Sequence, residues 1–187
     1  MLHCGAGAGA VSHADASGPN LFPQATEPIQ PADRLGYRTV WFTNHHFLER
    51  CSYSSSPQTY LPYLAAKTQN IRLGHGIVLL PFKIHHPLNV AEHVATLDVL
   101  SGGRAEFGGG RAICESELSA FGVNPDDTRP QWEEALQMIP KMWAQDSFSW
   151  DSPTMKVPAR SVIPKPVQKP HPPMSVACTP PASVAFA

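Results

Sequence analysis

The chain has 187 residues, of which 42% are hydrophobic, so it can bury one sizeable core and its length favours a single domain. Fourteen basic and fifteen acidic residues give a net charge of -1, which excludes the basic surface that nucleic acid or an anionic membrane would require. The longest apolar run, Ile77–Phe82, is far shorter than the roughly 18 to 20 residues of a membrane-spanning segment. We therefore expect a soluble protein that acts on a small organic molecule, without a nucleic-acid or membrane partner.

Residues 1–30 are rich in Gly, Ala, Ser and Pro and lack helical or strand periodicity, so we predict a disordered low-complexity head followed by one domain over 31–187. The head has neither a basic n-region nor an apolar h-region, which argues against a secretory signal and favours the cytoplasm. The cysteines are far apart and form no C-x-x-C pair, which fits reduced thiols better than disulfides or a zinc site. They are Cys4, Cys51, Cys114 and Cys178.

The first half of this domain alternates between predicted strands and helices. The β-branched and aromatic run Thr39–Phe42 predicts a strand. Ser56 followed by Pro57 predicts the start of a helix, which Pro62 should kink or shorten. Ile71–Leu80 is apolar on both faces, as in a buried parallel strand. After Pro87, apolar residues at helical spacing predict an amphipathic helix.

The second half continues the alternation. Arg104–Phe107 predicts a short strand that leads into a glycine run, and Thr128-x-x-Gln131 predicts a capping box at the start of a helix. Ser147–Val157 is compatible with a hairpin excursion, and Met174–Cys178 predicts the last strand. Strands and helices that alternate at roughly thirty-residue intervals indicate right-handed βαβ units, and therefore an α/β fold with about four recognisable parallel strands.

Ligands gather at the C-terminal ends of the strands in such folds, and His45 and His46 follow the first predicted strand there. An imidazole at a strand end can serve as a general base, although a chain with nine histidines carries most of them on the surface or in the core. Adjacent strand residues point to opposite faces and cannot both ligate one ion, so we predict no metal site.

Two further features lie at strand ends or within strands. His75 and Gly76 belong to the second predicted strand, and Gly108–Gly110 is followed by Arg111. Consecutive glycines allow close backbone approach, and an arginine fork suits a phosphate or a carboxylate. The motif is not a Walker or dinucleotide fingerprint, so a strained turn with a solvent-facing arginine is an equally good interpretation.

An ordered set of segments resembles the bacterial luciferase-like, flavin-dependent monooxygenases, and together it covers most of residues 32–187. The segments are LGYRTVWFTNHHF, SSPQTYLPYLAAKTQNIRLGHGIVLLP, HPLNVAEHVATLDVLSGGRAEFGGGR, FGVNPDDTRPQWEEALQMIPKMW and PKPVQKPHPPMSVACT.

The resemblance implies a TIM-type (β/α)8 barrel, here incomplete because no convincing first strand precedes Thr39 and the pattern ends soon after the fifth strand. It also implies that reduced FMN, supplied by a separate flavin reductase, reacts with O2 and that the resulting flavin peroxide oxygenates a small organic substrate. Members of the family often pair as dimers.

The resemblance assigns roles to individual residues. His45 matches the active-site histidine of the HHF motif and is expected to transfer protons, whereas His46 is a weaker neighbour. His75 and Gly76 match the strand beneath the flavin ring, and Gly110 and Arg111 match the phosphate contact. Cys178 and Thr179 match the loop after the fifth strand, which also holds the phosphate. Asn44 departs from the pattern, because many relatives carry a carboxylate there.

Two other interpretations stay open. Relatives of this fold include oxidoreductases that use the deazaflavin F420 for hydride transfer, and a barrel with missing strands could bind a flavin or a partner subunit without turnover. A binding titration would separate the two cofactors, and a turnover assay would separate an enzyme from a non-catalytic fragment.

Overall fold

The computed structural model describes residues 2–4, 20–48 and 52–177. Their elements alternate between strands and helices, apart from one hairpin near the end. In chain order they are β1 (Leu2–Cys4), α1 (Leu21–Thr26), α2 (Ile29–Arg34), β2 (Thr39–Phe42), α3 (Pro57–Lys67), β3 (Arg72–Leu79), α4 (Pro87–Leu100), β4 (Ala105–Gly110), α5 (Glu115–Ala120), α6 (Thr128–Ala144), β5 (Phe148–Asp151), β6 (Lys156–Arg160) and β7 (Met174–Val176), with a 3-10 turn at Pro125–Asp127 before α6.

Five strands form one sheet in the order β1-β2-β3-β4-β7, and every pairing in it is parallel. This confirms the α/β class, with one strand more than predicted. Strands β5 and β6 pair antiparallel in a separate sheet, which confirms the hairpin excursion. Within the described ranges, the sheet is open, and no helix combines the length and apolar character that a bilayer crossing requires.

Helices cover one face of this sheet. Val40, Phe42 and Leu73 are buried in a cluster with residues of α3 and α4, and Phe107 is buried with residues of α4 and α6. Side chains alternate along a strand, so the intervening residues Trp41 and Gly74 lie on the opposite face, away from α3, α4 and α6. That face corresponds to the interior of a barrel.

The N-terminal prediction needs two corrections. Residues 20–30, which we expected to be disordered, contain α1 and the start of α2. These helices are held by one buried apolar side chain and one buried hydrogen bond: Ile29 is 1% exposed, and Thr26 Oγ1 lies 2.7 Å from the Tyr60 hydroxyl on α3. The first strand, which the sequence did not reveal, is present as Leu2–Cys4. Only three residues long, it has no periodicity to detect and is defined by its pairing with β2.

The glycine run is strand and not turn, so that alternative was wrong. All six residues of β4 are buried. A Cβ on Gly108 would lie 2.4 Å from the carbonyl oxygen of His75, and one on Gly110 would lie 1.5 Å from Cδ1 of Ile77. Glycine is therefore required here because β3 and β4 approach closely near the register shift between His75 and Val78.

The helix starts and breaks were predicted with mixed success. The capping box was wrong, because Asp127 is the N-cap of α6 and Gln131 instead accepts the backbone N–H of Phe82 at 2.9 Å. Helix α3 begins after Ser56 as predicted, but it continues through Pro62 to Lys67 and is not shortened.

Candidate functional site

His45 lies in a loop that follows the C-terminal end of β2 and is fixed by backbone contacts. Its N–H donates to the carbonyl of Ser54 at 3.0 Å, and Asn44 Nδ2 donates to the carbonyl of Ser55 at 3.0 Å. Asn44 is 1% exposed, whereas the side chain of His45 is 33% exposed. The loop therefore anchors His45 while leaving its ring accessible.

The carboxylate of Glu117, on α5, contacts both histidines. Its Oε1 accepts the backbone N–H of His46 at 2.7 Å and lies 3.2 Å from Nδ1 of His45. Because a carboxylate oxygen can only accept a hydrogen bond, we assign the ring hydrogen of His45 to Nδ1, which donates it to Glu117. The arrangement leaves Nε2 of His45 with a lone pair, which is the form of imidazole that can accept a proton.

His46 has a different environment. Its ring centroid lies 4.9 Å from that of Phe121 and 6.1 Å from that of His85. Burial lowers the pKa of His46, and this effect outweighs the opposing influence of Glu117. His46 is thus a neutral, packed neighbour of His45.

Trp41 covers the face of β3 that points away from α3, α4 and α6. A Cβ on Gly74 would lie 2.4 Å from Cε3 of its indole, and one on Gly76 would lie 3.1 Å from the same atom. The two glycines therefore make room for a flat ring system stacked on the strand. Trp41 is 7% exposed, and its Nε1–H has no hydrogen-bond partner among the described residues.

His75 does not share the face of Gly76. Its ring is 2% exposed and lines a small cavity with Val90 and Val94 of the helix layer. Burial lowers the pKa of His75 to about 4, so the ring is neutral at neutral pH. Any contact of His75 with a ligand on the barrel-interior face would therefore come from its backbone.

Gly110 ends β4 and Arg111 follows it directly. Arg111 is half-buried and makes no hydrogen bond or ion pair within the described part of the chain, so its guanidinium is available at this sheet edge. Cys178 and Thr179 lie outside the described residues. Strand β7, which precedes them, pairs with β4 through Val176 and Gly109.

Buried polar atoms without partners are concentrated around the end of β2. Among the described residues, four buried side-chain nitrogen or oxygen atoms in this region lack a hydrogen-bond partner. Leaving such atoms unpaired costs about 1 to 3 kcal/mol each, so their clustering favours a polar ligand. The four are Trp41 Nε1, Asn44 Oδ1, Ser54 Oγ and Glu117 Oε2.

Sequence reasoning missed Glu117 and Trp41. Glu117 is 0% exposed, unlike its exposed neighbour Glu115 two positions earlier. One signal was available, because Glu117 precedes Phe121 by four residues and therefore shares a helix face with an apolar side chain. Trp41 carried no comparable signal. Its neighbours Val40 and Phe42 are also apolar, so the sequence did not show that Trp41 faces the opposite side of the sheet.

Comparisons with known proteins agree with this architecture. The family model of the luciferase-like monooxygenases matches residues 6–187. The crystal structure of the monooxygenase RslO1 from Streptomyces bottropensis superposes with a TM-score of 0.80 and 32% identity, over 89% of this chain and 48% of that one. The prediction of an incomplete TIM-type barrel is thereby confirmed.

Two curated relatives differ in cofactor. The oxygenase component of the flavin-dependent trigonelline monooxygenase of Acinetobacter baylyi is 30% identical over 171 residues, 89% of this chain and 46% of the relative. The F420-dependent glucose-6-phosphate dehydrogenase of Kineococcus radiotolerans is 30% identical over 142 residues, 73% of this chain and 42% of the relative. The chain thus spans less than half the length of either. It belongs to the luciferase-like monooxygenase family.

Proposed function

We propose that this chain acts as an FMN-dependent monooxygenase on a small organic substrate, with a separate flavin reductase supplying the reduced cofactor. The observation that carries the proposal is the hydrogen bond between His45 and Glu117 at the end of β2, beside the cluster of unpaired buried polar atoms. When bound, reduced FMN would supply the electrons that activate O2.

The role of His45 in this reaction is proton transfer at Nε2. Glu117 holds the hydrogen of His45 on Nδ1, which keeps the Nε2 lone pair directed away from the carboxylate. The side chain is partly exposed, so Nε2 can reach a bound ligand. Glu117 acts as a positioning residue, because it touches His45 and the backbone of His46 and lies fully buried.

The residues present fit a flavin phosphate and ring in two respects. Arg111, directly after β4, has no hydrogen bond or ion pair within the described residues. A guanidinium group can bind a phosphate through two parallel hydrogen bonds. Gly74 and Gly76 leave this strand face without side chains of its own beside the indole of Trp41, whose buried N–H has no partner among the described residues. We assign Gly110, Cys178 and Thr179 to the phosphate side of the same site.

Similarity favours FMN over F420. The flavin-dependent trigonelline monooxygenase matches a longer part of the chain than the F420-dependent dehydrogenase does, and RslO1 is itself a monooxygenase. The F420-dependent relative nevertheless makes hydride transfer to or from F420 the second candidate function. Competitive anaerobic titration with reduced FMN and reduced F420 separates the two, and tighter binding of F420 would reverse the order.

The test of the proposed reaction is isotope incorporation. The full chain, a flavin reductase, FMN and NADH are incubated under 18O2 with a panel of small apolar compounds, and products are analysed by mass spectrometry. We expect one 18O atom in a product that is absent without the chain or with His45→Gln. A folded, FMN-binding chain that yields no labelled product from the panel would instead favour the non-catalytic interpretation.

A further inference from the structure

We propose that His45, Cys114 and Glu117 form a binding site for a divalent transition-metal ion of the zinc class. One ligand atom from each residue lies within 4.8 Å of the others. In a tetrahedral zinc site such atoms are about 3.3 to 3.8 Å apart, so shifts of roughly 1 Å would close the set. Nitrogen, sulfur and carboxylate oxygen are the donors that zinc accepts, and the fourth position stays open.

The second observation concerns the other carboxylate oxygen of Glu117. Its Oε1 accepts from the backbone of His46, whereas Oε2 is buried and lacks a hydrogen-bond partner in the described ranges of the chain. Glu117 is 0% exposed, so bulk water does not form a hydrogen bond with this oxygen. A cation bound at Oε2 would satisfy it, while the amide contact at Oε1 would keep the carboxylate oriented.

The three residues come from two segments, the start of α5 and the loop after β2. Cys114 is the N-cap of α5 and Glu117 lies three residues later, so their side chains project from the same side of the helix. His45 approaches from the loop after β2. Cys114 and His45 are both partly exposed, which gives an ion a path from solvent.

Binding would move two protons. The Cys114 thiol would lose its proton to solvent as the sulfur–metal bond forms. His45 would bind through Nδ1, so the ring hydrogen would move to Nε2 and the lone pair there would be lost. The ion would therefore prevent Nε2 from accepting a proton. This consequence depends on the proposed function, whereas the binding site itself does not.

Cobalt is a spectroscopic probe for such a site, because Co2+ bound to a thiolate gives a ligand-to-metal charge-transfer band in the near ultraviolet. The reduced full chain is titrated with Co2+ and then with Zn2+. We expect a saturable band at one ion per chain that Zn2+ abolishes. Cys114→Ser should remove the band, and Glu117→Gln should weaken binding at least about tenfold. Circular dichroism confirms that each variant is folded.

His171→Gln serves as the matched control, because His171 contacts the carbonyl of Pro172 and the ring of Trp143, outside this site. Its cobalt affinity should equal that of the wild type. If the folded wild type shows no cobalt–thiolate band, if the band persists in Cys114→Ser, or if His45→Gln binds cobalt as tightly as the wild type, the proposed site is wrong. Neither result would depend on turnover.

Discussion

One oxygen of Glu117 holds two consecutive residues of the chain, accepting from Nδ1 of His45 at 3.2 Å and from the backbone N–H of His46 at 2.7 Å. This contact joins segments more than seventy positions apart, since His45 follows β2 and Glu117 belongs to α5. It fixes the tautomer of His45 and couples the helix to the strand end. A single side chain thus sets both the geometry and the proton position at the candidate site.

The first prediction concerns this carboxylate. Glu117→Gln keeps the shape and an acceptor oxygen but removes the charge that would stabilise protonated His45. We expect turnover to fall by about 10- to 100-fold with little change in FMN affinity, because general acid–base assistance contributes up to about 10²- to 10⁴-fold. Steady-state rates against pH provide the measurement, and Glu115→Gln on the exposed side of α5 is the matched control. Equal rates for wild type and Glu117→Gln would remove Glu117 from the mechanism.

The second prediction concerns packing on the barrel-interior face. Gly74→Ala would place a methyl group against the indole of Trp41, at 2.4 Å from Cε3. We expect the free energy of unfolding to fall by about 1 to 3 kcal/mol, as is usual for overpacking. Chemical denaturation measures it. In a Trp41→Ala background the same change should cost much less, so additive effects in the double-mutant cycle would contradict the stacking.

The third prediction concerns acid stability. Burial lowers the pKa of His75 to about 4, below the value of about 6.5 that an unfolded chain would have. Between these values the unfolded state binds the proton more readily, so the stability from neutral His75 is complete above about pH 6.5 and is lost as pH falls towards 4. The loss amounts to about 3 kcal/mol.

Unfolding free energies of wild type and His75→Gln at several pH values measure this loss. His46 and His85 also have pKa values lowered by burial, so both proteins should lose stability in acid. The difference between them should shrink as pH falls from 6.5 to 4. Parallel curves would show that His75 does not titrate in this range.

The fourth prediction concerns the cofactor phosphate. Arg111→Ala should weaken FMN binding by about 10- to 100-fold, because a hydrogen bond to a charged group contributes about 1.5 to 3 kcal/mol. Riboflavin, which lacks the phosphate, should bind wild type and variant equally. Arg160→Ala, in the exposed part of β6, is the control and should leave FMN affinity unchanged. An equal loss for riboflavin and FMN would place Arg111 away from the phosphate.

Sequence patterns predicted the elements that depend on local composition. The largely apolar run Ile71–Leu80 predicted β3, because a strand buried on both faces shows no regular alternation of polar and apolar residues. The apolar residues at helical spacing after Pro87 predicted α4, because a helix buried on one face repeats every three to four residues. Patterns failed where pairing decides the structure. Strand β1 has three residues, and Gly108–Gly110 form a strand because they pair with β3 and β7.

The candidate site shows the same division. His45 could be chosen because it directly follows a predictable strand. Its partner Glu117 could not, since the contact spans more than seventy positions and a buried glutamate looks like an exposed one in sequence. The face of His75 was also hidden, because a strand apolar on both sides does not reveal which side the helices cover.

Equilibrium binding of oxidised and reduced FMN to the purified full chain tests whether the flavin site exists. Flavin fluorescence would report binding, and circular dichroism would report folding in the same samples. Micromolar affinity for FMN by a folded wild-type chain, lowered in Arg111→Ala and retained in His45→Gln, is the result we predict. A folded chain that binds neither form of FMN would contradict the proposed flavin-dependent function.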